Sequence, residues 1–139
     1  MGKSIREIMT SNPSTVQADA TVVDAARVMR DDDTGIVPIV ENERLVATVT
    51  DRDIAVRLVA EGRDAESANV REIASTDLVT IDPQQDLDEA LRLMAQHQVR
   101  RLPVVEEDGR LVGIIAQADV ARESDDARTG ELVEEISQP

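Results

Sequence analysis

The sequence contains no cysteine and no phenylalanine, tyrosine or tryptophan. Without cysteine there is no disulfide, no thiolate nucleophile and no cysteine-based metal site. Without aromatic residues the interior has to be filled by Leu, Ile, Val, Ala and Met, and the stacking platforms with which many proteins hold single-stranded nucleic acid are missing. There is a single histidine, His97, which excludes a multi-histidine zinc site.

Positive charge is scarce as well. The 139 residues include 29 acidic and 15 basic side chains, which gives a formal net charge of −14, so the surface repels phosphate backbones and anionic lipids. No apolar run approaches the roughly 20 residues that span a bilayer, and residues 1–10 lack the pattern of a signal peptide. The composition therefore predicts a globular, cytoplasmic protein that binds neither nucleic acid nor membrane.

What the sequence does contain is an internal duplication. A shift of 65 positions places Ile5-Arg6-Glu7-Ile8 on Val70-Arg71-Glu72-Ile73, and after one residue is added in a turn a shift of 66 places Asp53 on Asp119. Units of about half a domain cannot easily bury a sheet alone. The chain is therefore predicted to consist of two repeats that share one domain, residues 1–69 and residues 70–139.

Each repeat has the same predicted order of elements, β-α-β-β-α. Its first helix has apolar residues at the i, i+3, i+4, i+7 spacing of one buried face, behind a capping pattern. The apolar residues are Val22, Ala25, Ala26 and Met29 behind Thr21 and Asp24, and Leu87, Ala90, Leu91 and Met94 behind Asp86 and Glu89. The predicted strands are 14–17, 37–40 and 45–49 in the first repeat, and 79–82, 102–105 and 111–115 in the second.

A second helix is predicted to begin near Asp53 and near Asp119. In the first repeat its buried stripe is expected to be Ile54, Ala55, Leu58 and Val59, with Gly62 as the C-cap. The continuous apolar runs of the strands predict burial on both faces of each sheet. The predicted fold class is α+β, and the two repeats are expected to pack sheet to sheet about a pseudo-twofold axis. The tail after Arg122 is expected to form a docked short helix or to fray.

The two repeats resemble the CBS domain, and the chain from about Ser4 to Arg122 resembles a stand-alone CBS pair, or Bateman module. The matching stretches are 6–9, 32–40 and 45–54 in the first repeat and 97–105 and 111–119 in the second. The resemblance implies a regulatory module that is not an enzyme and that binds AMP, ADP, ATP or a related adenosyl compound in clefts between the repeats. It also implies a homodimer, and no cofactor is required.

By this resemblance the turn Thr50-Asp51-Arg52-Asp53 holds ribose and phosphate in the main cleft. A carboxylate accepts hydrogen bonds from both ribose hydroxyls, and the helix start beside it would offer unpaired N–H groups to phosphate. The same turn also fits a plain capping arrangement, with Thr50 as N-cap and Asp53 in the first turn. The residues alone do not decide between the two interpretations.

The opposite wall of the main cleft is implied to come from the second repeat. It would consist of Val79, Thr80, Ile81, Val99, Arg100, Arg101 and Pro103. Adenine would lie between the aliphatic side chains, and Arg100 or Arg101 would pair with phosphate. The alternative for these arginines is a solvated pair or ion pairs with nearby acids.

The second cleft departs from the family pattern. Its implied residues are Thr15, Val16, Ile36, Val37, Ala116 and Asp119. Ala116 stands where the main cleft has the hydroxyl of Thr50, and Gly35 and Ile36 stand where it has its two arginines. We therefore expect one competent site and one weak or empty site.

Other features have simpler interpretations. His97, at a helix end, is expected on the surface, and Asp31-Asp32-Asp33 is expected to be a solvated helix end, although it could assist Mg²⁺ that arrives with ATP. The competing function is a structural or interaction protein that acts through its dimer surface and has a vestigial cleft. An enzyme is the least favoured class, because the sequence has no nucleophile–base pair and no metal cluster.

Overall fold

The computed structural model describes residues 3–123, so residues 124–139, for which a docked short helix or a frayed end was expected, lie outside the described residues. The chain divides into two compact units. Among the described residues, one unit contains residues 3–11, Val79–Val104 and residues 113–123, and the other contains Asn12–Leu78 and Val105–Val112. The start of the chain therefore folds with elements of the second repeat. The repeat boundary between residues 69 and 70 stays a prediction.

The unit that contains Asn12–Leu78 is built on a three-stranded sheet of order β2-β3-β4. The strand β2 (Val16–Gln17) runs parallel to β3 (Ile36–Glu41), and β3 runs antiparallel to β4 (Arg44–Thr50). Residues 37–40 of β3 are all buried, as predicted, whereas β4 alternates between buried and half-buried positions. The predicted burial on both faces is therefore confirmed for β3 but not for β4.

The first long helix, α2 (Val22–Asp32), covers this sheet. Thr21 caps it as predicted, because its Oγ1 accepts from the N–H of Asp24 at 3.2 Å while Asp24 Oδ2 accepts from the N–H of Thr21 at 3.1 Å. Val22 and Ala25 are buried, Met29 is half-buried and Ala26 is exposed. The predicted buried face is thus right except at Ala26.

The other unit carries a three-stranded sheet of order β1-β6-β5. Here β1 (Thr10–Ser11), which follows the short helix α1 (Ile5–Ile8), pairs antiparallel with β6 (Leu111–Ala116), and β5 (Arg101–Val105) lies on the other side of β6. The helix α4 (Leu87–His97) is capped by Asp86, whose side chain accepts from the N–H of Glu89 at 2.9 Å. His97 is the last helical residue and is exposed, as predicted.

The predicted entry strands are shorter than expected, for the same reason in both repeats. Of the predicted strand 14–17, only β2 (Val16–Gln17) is paired, and its pairing begins at Val16, which faces Ile39. Of the predicted strand 79–82, only Ile81 is paired, in a single parallel bridge with Val104. To extend either ladder backward, the residue before the partner would have to donate its N–H. That residue is Pro38 or Pro103, and proline has no N–H to give.

The second helix of the first repeat is irregular. It begins as α3 (Asp51–Asp53) and continues as a π-helical segment, Ile54–Val59, in which the N–H of Ala60 donates to the carbonyl of Ala55 at 2.9 Å. Gly62 has a left-handed φ of 67° two residues beyond the C-cap, Ala60, so it lies in the turn after the helix rather than at the predicted cap. In the second repeat, residues 117–123 are helical.

The predicted stripe of this helix is only half right. Leu58 is 2% exposed and Ile54 is half-buried, but Ala55 is exposed and Val59 is 66% exposed. A π-helix closes its turns with i→i+5 hydrogen bonds and so has more residues per turn than an α-helix. The α-helical spacing therefore assigns the wrong face to residues 55 and 59. No helix within residues 3–123 has the length and apolarity to cross a membrane.

Candidate functional site

The turn at residues 50–53 joins β4 to the second helix of the first repeat. The N–H of Thr50 donates to Asp53 Oδ2 at 2.9 Å, and the N–H of Asp53 donates to Thr50 Oγ1 at 3.1 Å. These reciprocal bonds form a capping box. The capping arrangement that the sequence left open is therefore present.

Capping does not use the whole carboxylate of Asp53. Its second oxygen, Oδ1, lies 3.9 Å from Nε of Arg57, and the side chain is 14% exposed. Because an ionised carboxylate offers about four acceptor positions, Asp53 can cap the helix and still accept from a further donor. The turn thus presents a nearly buried, oriented carboxylate.

The first N–H groups of this helix are not available to an anion, contrary to our expectation. The N–H of Asp51 donates to the carbonyl of Gly35 at 3.0 Å, that of Arg52 donates to Asp51 Oδ1 at 2.8 Å, and that of Asp53 donates to Thr50. The alternative capping interpretation accounts for the N–H of Asp53, whereas the bond from Asp51 to the carbonyl of Gly35 joins residues 16 positions apart and gives no local signal in the sequence. A phosphate near this turn would therefore need donors other than these three N–H groups.

The sheet brings several predicted residues of the two clefts together within this unit. Ile36 is the register partner of Thr50, Val37 is the partner of Val49, and Val16 faces Ile39. The close approach continues at Gly35, where a Cβ would lie 3.0 Å from Asp51 Oδ2. A side chain at position 35 would therefore require the exposed Asp51 carboxylate to move by a few tenths of an ångström.

The predicted second-repeat residues lie in the other unit. Ile81 and Pro103 are buried, Arg100 is exposed, and Val79, Thr80, Val99 and Arg101 are half-buried. The N–H of Gln117 donates to the carbonyl of Arg100 at 2.7 Å, which repeats the link between Asp51 and Gly35. Within residues 3–123 the guanidinium groups of Arg100 and Arg101 take part in no hydrogen bond or ion pair, so ion pairing with described acids does not occupy them.

The turn of the second repeat differs from that of the first in its polar groups. Ala116 ends β6 and offers no hydroxyl, and Asp119 Oδ1 accepts from Nη2 of Arg122 at 3.1 Å, with 29% of the Asp119 side chain exposed. Residues 50–53 and the second-repeat residues belong to different compact units. That they form one cleft stays a prediction.

Arg57 is not among the site residues predicted from the sequence. Its Nε faces Asp53, and its Nη1 donates to the carbonyls of Ile73 and Ala74, each at 3.3 Å. The signal available in the sequence was the i, i+4 spacing of an acid and an arginine on a helix. The carbonyl partners, 16 and 17 residues away along the chain, give no local signal.

A surface pocket of about 480 Å³ lies at the other end of the same sheet and includes no predicted site residue. Its lining residues are Gln17, Ala18, Asp19, Glu41, Asn69, Arg71 and Glu72. Arg71 pairs with Glu41 at 3.4 Å, and Arg63 pairs with Glu72 at 2.6 Å. Across residues 3–123, no group of three or more His, Cys, Asp or Glu side chains could hold a metal ion.

Comparison with known proteins matches both halves of the chain. The CBS domain profile matches residues 5–60 and 70–126. The CBS domain-containing protein YhcV of Bacillus subtilis is 44% identical over 118 residues, which are 85% of this chain and 83% of YhcV. Hypoxic response protein 1 of Mycobacterium tuberculosis is 37% identical over 135 residues, which are 96% of this chain and 94% of that protein.

Solved structures agree with this fold. The crystal structure of Hypoxic Response Protein I with two coordinated zinc ions superposes with a TM-score of 0.79 at 39% identity, covering 86% of this chain and 98% of that one. At 24% identity, and so for the fold alone, the CBS pair of MJ0100 in complex with 5′-methylthioadenosine and S-adenosyl-L-methionine gives a TM-score of 0.79 over 88% of this chain and 95% of that one. CBSX2 in complex with AMP, also at 24% identity, gives 0.78 over 91% and 99%.

Matches also extend to larger proteins. An inosine-5′-monophosphate dehydrogenase of Nitrosopumilus maritimus is 27% identical over 85% of this chain, which is 24% of the enzyme. In that enzyme the matched region is a minor part of the whole. Since the family profile matches both repeats and the relatives align along most of its length, this chain belongs to the CBS domain family as a tandem pair of CBS domains.

Proposed function

We propose that the chain is a non-enzymatic sensor module that binds an adenine nucleotide, AMP, ADP, ATP or a related adenosyl compound, with the ribose on Asp53. The observation that carries this proposal is the geometry of the Asp53 carboxylate. It is 14% exposed, fixed through one oxygen by the N–H of Thr50, and has acceptor capacity left on the other. Two ribose hydroxyls are suitable donors, and hydrogen bonds to a charged acceptor contribute about 1.5–3 kcal/mol each.

The remaining contacts follow from the family resemblance. Arg100 and Arg101 would hold the phosphate, since neither guanidinium is engaged elsewhere in residues 3–123 and the helix N–H groups at the turn are occupied. Adenine would pack against the aliphatic residues of the second repeat. Adenosyl ligands in MJ0100 and CBSX2 support the choice of ligand class through the fold alone. The second cleft, with Ala116 at its turn, would be weak or empty.

The regulatory role is supported by the kind of protein that the chain resembles. YhcV and Hypoxic response protein 1 align over 83% and 94% of their lengths, so most of each is the same pair of repeats. In the dehydrogenase match the pair accounts for about a quarter of the enzyme. We propose that this chain binds a ligand and reports it to a partner rather than transforming it, and that it does so as a cytoplasmic homodimer.

The ligand proposal predicts a thermal shift that depends on Asp53. At about 100 times its dissociation constant, AMP, ADP, ATP or S-adenosylmethionine should stabilise the wild type by about 2.7 kcal/mol. Asp53→Asn keeps an acceptor for Thr50 but loses the charge, so we expect at least a tenfold weaker affinity. The matched control, Asp119→Asn in the second turn, should bind within twofold of wild type.

Calorimetric titration measures both affinity and stoichiometry, and the proposal expects one site per chain. Equal and tight occupancy of two sites would contradict the difference between the clefts. Absence of binding by all four compounds would contradict the function itself. Because the sequence has no Trp or Tyr, retained nucleotide is also visible directly as absorbance at 260 nm in the purified protein.

A second function, that of an interaction protein acting through its dimer surface, is favoured by a different observation. Val56 and Val59, three positions apart in the π-helical segment, are 49% and 66% exposed, and exposed apolar side chains that cluster can mark a contact with another protein. If they lie between two copies of the chain, Val56→Asp should raise the dimer dissociation constant at least tenfold in sedimentation equilibrium. Unchanged association of this variant would contradict a dimer surface at this helix.

A further inference from the structure

Arg57 connects two parts of its unit that are distant in sequence. From one turn into the helix, its Nε faces Asp53 Oδ1 at 3.9 Å, and its Nη1 donates to the carbonyls of Ile73 and Ala74 at 3.3 Å. These carbonyls follow the 3₁₀ turn Val70–Glu72. Residues 70–75, the connecting segment, begin the second repeat in sequence but fold in the unit that contains most of the first repeat. The guanidinium therefore spans from the proposed ribose-binding carboxylate to the connecting segment.

The same connecting segment returns to the strand that carries the turn. The N–H of Ser75 donates to the carbonyl of Thr48 at 2.8 Å, and the N–H of Thr48 donates to the carbonyl of Ser75 at 3.0 Å. Thr48 lies two residues before Thr50 in β4. Residues 73–75 are therefore linked to the turn in two ways. Arg57 contacts both of them, and Thr48, just before the turn in β4, is hydrogen-bonded to Ser75.

The second repeat does not repeat this link. The shift of 66 that places Asp53 on Asp119 places Arg57 on Glu123, which reverses the charge. Glu123 Oε1 lies 3.3 Å from Nζ of Lys3, and Asp119 pairs with Arg122 instead. In the part of the chain that the structure describes, a cation at this position that contacts both the turn carboxylate and backbone carbonyls is thus a feature of the first repeat.

We propose that Arg57 is a positioning residue that couples the Thr50–Asp53 turn to the connecting segment at residues 73–75. Ligand hydroxyls that donate to Asp53 compete for the carboxylate that faces Arg57. This weakens the attraction between Asp53 and Arg57 and so changes the hydrogen bonds from Arg57 to the carbonyls of Ile73 and Ala74. Occupancy at the turn is thereby transmitted to the connecting segment, where the second repeat begins. In its ligand-dependent part this inference rests on the proposed function, but the coupling itself does not.

Loss of the Arg57 contacts should be easier to detect by amide hydrogen exchange at residues 73–75 than by the free energy of unfolding of the whole protein. The Arg57 side chain is 55% exposed, and an ion pair that reaches solvent contributes little to folding. Opening of the 73–75 segment, by contrast, breaks its backbone bonds to Thr48 and is a local event. Amide hydrogen exchange of Thr48 and Ser75 is therefore the appropriate measurement.

The first arm of the test uses no ligand. We expect Arg57→Gln to speed exchange of the Thr48 and Ser75 amides at least fivefold, Asp53→Asn to speed it at least twofold, and the double variant to exchange no faster than Arg57→Gln alone. Arg57→Lys, which keeps a donor and the charge, should restore at least part of the protection. Additive effects of Asp53→Asn and Arg57→Gln would overturn the coupling.

Arg63→Gln is the matched control. It removes an equal charge and breaks the 2.6 Å bond to Glu72 in the same connecting segment. It should therefore combine additively with Asp53→Asn. If the exchange rates of Arg63→Gln and Asp53→Asn were non-additive to the same extent, any loosening of the connecting segment would produce the effect. That result would also overturn the inference.

The second arm adds saturating AMP. In the wild type we expect altered exchange both at residues 50–53 and at residues 73–75, and in Arg57→Gln we expect binding within tenfold of wild type with the response at residues 73–75 lost. A response at residues 73–75 that persists in Arg57→Gln would overturn the inference while the proposed function stands. If AMP does not bind the wild type, AMP is not the ligand, and the coupling between Asp53 and Arg57 is tested by the ligand-free first arm.

Discussion

Truncation of Leu58 to alanine is expected to destabilise the protein by about 2–5 kcal/mol, the range for a large aliphatic side chain removed from a core. Leu58 is 2% exposed and belongs to the buried cluster of its unit together with Ile39, Val49 and Ile73. Its neighbour Val59 is 66% exposed, so Val59→Ala should change the free energy of unfolding by less than about 0.5 kcal/mol.

This pair of variants tests the phase of the helix. In a regular α-helix with the stripe that the sequence suggests, residues 58 and 59 both face the core and both truncations are costly. In the π-helical segment Ile54–Val59 the i→i+5 bonds turn Val59 outward while Leu58 stays inside. A large asymmetry between neighbouring residues is therefore the expected signature.

Urea unfolding followed by far-ultraviolet circular dichroism gives both free energies. The measurement should be made at two protein concentrations, because a role of Val59 between copies of the chain would make its effect depend on concentration. Equal and concentration-independent losses for Leu58→Ala and Val59→Ala would contradict the π-helical phase.

The regular elements were predictable because their signals are local. The caps of α2 and α4 follow from Thr21 with Asp24 and from Asp86 with Glu89, and both are present. Failure of the prediction begins where the deciding partner is elsewhere in the sequence. The entry ladders stop because Pro38 and Pro103, on partner strands, cannot donate.

The candidate site shows the same division. The Thr50–Asp53 turn was identified, and its capping box needs only residues three apart. The N–H groups at the turn proved to be occupied, in part by the carbonyl of Gly35 across the β3–β4 pair. Arg57 was not predicted because its partners are backbone carbonyls in another segment. Every residue has a backbone carbonyl, so the sequence does not indicate which of them accept a hydrogen bond.

The start of the chain offers the other large effect, at Gly113 in β6. Gly113 is the register partner of Ser11, and a Cβ built on it would overlap Sδ of Met9 and lie 2.9 Å from the carbonyl oxygen of Thr10. The equivalent position in the first repeat is Ala47, so the repeat itself accepts a Cβ there. The close approach of residues 9–11 is what requires glycine at position 113.

Gly113→Ala is therefore expected to destabilise the protein by about 1–3 kcal/mol, as overpacking does, and Gly113→Val should reach the upper end of that range or exceed it. The sign is informative, because glycine within a strand is ordinarily less favourable than alanine by about 0.5–1 kcal/mol. Met9→Ala in the Gly113→Ala background should recover part of the loss, since the side chain can be removed but the carbonyl of Thr10 cannot.

Amide hydrogen exchange in Gly113→Ala should become faster at residues 10 and 11 and stay unchanged in β3. A Gly113→Ala variant that is as stable as the wild type would show that β1 does not approach β6 this closely, and that the N-terminal segment is not held by this pairing.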